Sequence, residues 1–305
     1  MSSPSRVRTT GLAHCCRSTL LGAVVLALAA CSAVRVAYNN ADLYLTWKAE
    51  DYFALDSRQR ALLRTKLDAT STWHRSEELT RYAAVLGAAG ERVGGGVDEA
   101  DIQWLLTSAR LRYEALARQS APGAAAVLSS LTPAQIARFE VKLQRENEDF
   151  AAEYVAPPPD AQRRQRFKRT LELMEEWVGP LSDSQRARMQ SLSFAVPLTN
   201  ALRHADRQRR QQAFIAILAE HLAPETLAPA LEAWMIAWDA GRAPEYEALS
   251  GEARRQSVAM VLDLDRSLTS QQRTRLQARL ARYAGEFESL AVNRAVRTAA
   301  TDRLE

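Results

Sequence analysis

The chain has 305 residues, 40 basic against 36 acidic, and 47% of its residues are hydrophobic, so it is long and apolar enough to bury one large core or two smaller ones. Three cysteines are too few for a disulfide framework. Three of the basic residues and none of the acidic ones fall before residue 31, leaving 37 against 36 in the remainder, so the net charge gives no reason to expect nucleic acid as a partner.

The first thirty residues read as a signal peptide. Arg6, Arg8 and Arg17 precede a weakly polar run from Leu20 to Ala30, which is shorter than the ~20 residues a spanning helix needs. The run ends in Leu28-Ala29-Ala30-Cys31, the order that lipoprotein signal peptidase recognises, so cleavage before Cys31 and lipidation of that cysteine are expected. Cys15 and Cys16 follow His14, where a small residue is required, and are discarded with the signal. Lipidation leaves no pair for a disulfide, and stability must then come from packing. Three acyl chains exceed the two signals that stable anchoring requires. With Ser32 rather than Asp after the cysteine, the expected address is the outer membrane, facing the periplasm.

From Cys31 on, the chain is rich in Ala, Leu, Arg, Gln and Glu, and apolar residues recur at three and four rather than two, which predicts an all-α multi-helix bundle. Phe167, Leu171, Met174 and Trp177 illustrate the period and form a core stripe. Breaks are expected at 94–96, Pro122-Gly123, 157–159, Gly179-Pro180, Pro224 and 241–244, giving roughly eight to ten helices.

Four helix starts share a phrase: Leu55-Asp56-Ser57-Arg58-Gln59, Leu131-Thr132-Pro133-Ala134-Gln135, Leu181-Ser182-Asp183-Ser184-Gln185 and Leu268-Thr269-Ser270-Gln271-Gln272. Asp, Thr or Ser as N-cap with Gln three residues on is a capping box, in which each side chain satisfies the other residue's amide. An apolar residue follows four after each Gln, at Leu63, Phe139, Met189 and Leu276. The second and fourth phrases share an offset of 137 residues that also relates Arg118-Gln119-Ser120 to Arg255-Gln256-Ser257 and Phe150 to Phe287. Either an internal duplication or shared helical composition accounts for this register. The organisation read from it is a signal peptide (1–30), an N-terminal helical half carrying the anchor (31–156) and a C-terminal half (160–305).

The Leu-Thr-x-x-Gln phrase resembles the signature of the Spy and CpxP periplasmic chaperones, whose helices cradle unfolded clients. A broader resemblance rests on the start Cys31-Ser32-Ala33-Val34-Arg35-Val36-Ala37-Tyr38-Asn39-Asn40-Ala41-Asp42, with Trp47, Asp51-Tyr52-Phe53 and Trp73-His74-Arg75. These residues are similar to a family of proteobacterial lipoproteins classed as a domain of unknown function. That resemblance implies an all-helical envelope lipoprotein and brings no active site with it.

Chemistry is sparse. His74, His204 and His221 have no His or Cys at ligand spacing, and no nucleophile elbow, phosphate loop or dinucleotide fingerprint occurs, so neither a cofactor nor a small-molecule ligand is expected. Adjacent carboxylates such as Glu50-Asp51, Glu77-Glu78 and Glu175-Glu176 are candidates for glycan hydrolysis, although in a chain with 36 acidic residues such pairs are usually a solvated helix face. Two partner-binding segments stand out: Tyr38, Asn39, Asn40, Asp42 and Trp47 near the anchor, and Arg203, Arg207 and Arg210 on one helix face. Each also has a structural reading, as first-helix core and as ordinary solvated charge. The expected role is a non-catalytic, membrane-anchored scaffold for a protein or polypeptide partner; a Spy-like chaperone and a peptidoglycan-acting enzyme are the alternatives.

Overall fold

The computed structural model describes residues 34–301, so the signal peptide and Cys31 lie outside the described residues. The described residues hold helices and no strand, as an all-α bundle requires. Among the described residues, 34–41 belong to a unit of their own, in which the Asn40 side chain donates to the Val36 carbonyl at 2.7 Å. The rest of the chain, from Asp42, is one compact unit.

Eleven α-helices follow: α1 (Ala41–Phe53), α2 (Ser57–Trp73), α3 (Leu79–Gly95), α4 (Glu99–Leu128), α5 (Pro133–Phe150), α6 (Pro159–Val178), α7 (Asp183–Ala195), α8 (Asn200–Ala219), α9 (Pro224–Ile236), α10 (Pro244–Ser267) and α11 (Ser270–Thr301). The number exceeds the sequence expectation in part because a π-helical turn, His74–Glu78, divides the rod of α2 and α3 with no Gly or Pro to announce it. Prolines open α5, α6, α9 and α10, where the missing amide hydrogen costs nothing.

The expected break at Pro122-Gly123 does not occur, and α4 runs straight through it. Tertiary packing overrides the local signal. Ala121 and Ala125 are buried against α9 in a cluster with Leu227 and Leu231, and a Cβ on Gly123 would stand 3.2 Å from Lys66 Cβ on α2. The glycine lets two helices approach closely, and burial on both sides outweighs the ~3 kcal/mol that a helix-interior proline costs.

The core is distributed. Leu55, Leu131, Phe139 and Leu218 centre one cluster, with Leu63 and Phe214 against it. Leu181, Met189, Met260 and Leu264 centre another, with Phe167, Leu171, Met174, Trp177 and Leu276 against it. The predicted stripe and all four post-Gln apolar positions are therefore core. Between these clusters the helices interleave. The most extensive packing joins α3 to α11, where Leu280 meets Ala89 and Val93, and the next joins α4 to α9.

Candidate functional site

All four predicted capping boxes form. What the sequence reading missed is that their glutamines pair. Gln59 Nε2 donates to Gln135 Oε1 at 3.0 Å while Gln135 Nε2 donates to Gln59 Oε1 at 2.7 Å. The second amide hydrogen of each goes to a carbonyl two residues before the other helix's cap, Ser130 and Ala54. Gln185 and Gln272 repeat the arrangement at 3.0 and 3.1 Å, with the carbonyls of Ser267 and Pro180. Each side-chain oxygen also accepts from its own cap amide, so every donor and acceptor position of the four amides is used. A signal was present: a Glu would complete the box equally well, but only Gln can also donate.

Beside the second pair lies an apolar cavity of ≈ 310 Å³ between α3, α4, α6, α10 and α11. Leu86 and Val93, Trp104 and Leu105, Trp177, Val261 and Leu264, and Leu276 and Leu280 line it in helix order. Leu105 and Val261 are exposed, so the cavity opens to solvent beside them. Its polar lining is satisfied. Arg92 lies over the Trp104 ring at 3.8 Å and pairs with Asp101 at 3.0 Å. The buried Asp265 accepts from the Val97 amide at 3.1 Å and from Arg273 at 2.8 Å, and Arg273 also donates to the Val93 carbonyl at 2.6 Å. This volume is at the small end of ligand pockets, which suits a few apolar side chains rather than a polypeptide backbone.

The predicted partner-binding residues separate into three groups. Tyr38, Asn39 and Asn40 belong to the unit that ends at Ala41. On α1, Trp47 and its neighbour Tyr44 are exposed and 5.8 Å apart, whereas Tyr52 and Phe53 pack into the first core against Phe139. Asp42 is fixed by the Ser71 hydroxyl at 2.6 Å. The arginines of α8 turn toward neighbouring helices: Arg207 donates to Asn147 at 2.8 Å and to Glu146 at 3.1 Å, Arg203 and Arg207 lie over Phe150, and Arg210 lies over Trp234. His204 stacks on the same Phe150 ring. Their charge is therefore used in packing α8 onto α5 and α9. Glu146 also accepts from Tyr52, whose phenol burial pushes up to about 12.

Each of the six candidate glycan-cleaving carboxylates has a cationic partner. Glu50 pairs with Arg60, Asp51 with Lys142, Glu77 with Arg81, Glu175 with Arg186 and Glu176 with Arg279. Glu78, fully buried in the π turn, takes Arg81 at 2.6 Å and Arg112 at 3.2 Å. Near it, His74 lies 3.3 Å from the Tyr82 hydroxyl, and burial lowers the imidazole's pKa. Among the described residues, no three His, Cys, Asp or Glu side chains converge on a metal position, and no helix is long and apolar enough to cross a membrane.

No curated protein and no solved structure matches the chain. One family model does, over residues 51–247, a range that takes in the first glutamine pair and Gln185 and ends before Gln272. The chain belongs to that family, DUF6279, a family of unknown function.

Proposed function

We propose that the protein is a non-catalytic envelope scaffold, anchored through Cys31 to the outer membrane on its periplasmic side, that holds a protein partner by apolar side chains seated in the cavity between α3, α4, α6, α10 and α11. The observation that carries this reading is the cavity itself: an open apolar recess whose polar edge is already ion-paired. Buried apolar anchors in such recesses supply most of the binding energy at protein interfaces. A general acid needs a raised carboxyl pKa. Of the paired carboxylates, Asp51 is held below the ordinary range, chiefly by its hydrogen bond from Lys142, the opposite of what a general acid requires.

A photo-crosslinking residue at Leu105, in the full-length lipidated chain in its native envelope, tests the proposal. One partner at fixed stoichiometry, lost when Val261→Glu closes the recess, is expected. A broad spectrum of unfolded envelope proteins would replace the scaffold with a chaperone, and an empty capture would remove both.

A further inference from the structure

The N-terminal half of α1 leaves its large apolar residues exposed: Leu43 is 66% exposed, Tyr44 56%, Trp47 56% and Leu45 46%. At 100° per residue Leu43, Trp47 and Tyr44 form a stripe within a third of the helix circumference, and Leu45 extends the apolar surface a further 100° beyond Tyr44. The charges nearby are engaged in the body or suited to a headgroup layer. Asp42 is held by Ser71, Glu50 by Arg60 and Asp51 by Lys142, while the Lys48 ammonium lies 5.4 Å from both the Trp47 and Tyr52 rings.

We propose that this stripe seats in the headgroup region of the lipid bilayer, giving the protein a second membrane contact beside its acyl chains. The inference rests on the reading of Cys31 as the anchor. Leu43 follows Cys31 by twelve residues, which span at most about 40 Å, so lipidation holds the tip of α1 within that distance of the membrane surface. Trp and Tyr rings favour that interface, a leucine beside them adds buried apolar area, and a lysine at the edge meets anionic phosphate. A stripe of this kind orients the body on the membrane, which a flexible acyl tether does not.

The test uses the full chain, processed and lipidated, in vesicles of phosphatidylethanolamine and phosphatidylglycerol, with a spin label at Leu43→Cys or Trp47→Cys. The control label is Leu173→Cys, at another exposed leucine, on α6. Flotation and the mass of the N-terminal peptide report the anchor separately. Labels at 43 and 47 with several-fold higher accessibility to oxygen than to an aqueous nickel reagent, and a control with the reverse, support the seating. Lipidated, floating protein with an aqueous label at 43 overturns the seating while leaving the anchor intact. A label shielded from both reagents marks a protein contact and also overturns it; a chain that neither carries lipid nor floats overturns anchor and seating together.

Discussion

The two glutamine pairs sit in equivalent backbone frames with different neighbours. The 137-residue offset that relates Gln135 to Gln272 also relates Leu128 to Asp265 and Ile136 to Arg273. In the first frame Leu128 and Ile136 pack into the core beside Phe139. In the second, the corresponding positions form a 2.8 Å ion pair that also binds Val93 and Val97 at the end of α3 and the turn into α4. The same hydrogen-bonded frame can thus close a core with apolar contacts or clamp a neighbouring loop with charge. The clamp forms the polar edge of the cavity, so the frame that departs from the apolar version is the one beside the candidate site.

The largest expected effect comes from breaking that clamp. Arg273→Met leaves the buried Asp265 without its cation and lowers stability by about 3–5 kcal/mol in urea unfolding, whereas Asp265→Leu with Arg273→Ile, which transplants the apolar version, recovers most of that loss. If the double substitution is as unstable as the single one, the two frames are not equivalent.

A smaller difference separates the glutamines. Gln185 is buried and bridges two helix starts, so Gln185→Ala strands the amide of Gln272 and costs about 2–3 kcal/mol. Gln135→Ala likewise strands the buried Gln59, but Gln135 itself is half-buried and water enters the space it leaves, so the cost is smaller, about 1–2 kcal/mol by the same measurement. Equal costs would show that solvent access does not distinguish the pairs.

The smallest effect concerns the aromatic positions of the register. Phe150 stacks directly on His204, whereas Phe287 meets Tyr82, which in turn reaches His74. Burial lowers the folded-state pKa of His74 below its ordinary 6.5. The unfolded chain therefore binds the proton more readily, and the contribution of this histidine is complete above pH 6.5 and lost as the pH falls through the folded value. His74→Gln should flatten the acid side of the stability curve; an unchanged slope would place the titration elsewhere.

Sequence showed the parts of the fold that are local. Caps, prolines at first turns and the stripe from Phe167 to Trp177 depend on neighbours three or four residues away, and all were readable. Pro122 was misread because its tolerance comes from α2 and α9, distant in sequence. The arginines of α8 looked like a solvated face because charge indicates exposure, yet their stems lie over Phe150 and Trp234. Tyr44 and Trp47 could not be separated from Tyr52 and Phe53 by composition, since all four are aromatic and only packing against Phe139 distinguishes them. The cavity draws its walls from five helices, and no short stretch of residues could announce it.

The packing of α3 on α11 has a consequence for how the molecule is made. The Gln277 side chain donates to the Gly90 carbonyl across 187 positions, and Leu280 closes the face of α3 formed by Ala89 and Val93. A chain emerging from its N-terminus can start α3 early, but that face waits for the last helix to arrive. Contacts this distant slow folding, because the loop between them must close before they give anything in return. During that interval the unpaired apolar face of α3 is open to misassociation, and the arrival of α11 ends the exposure.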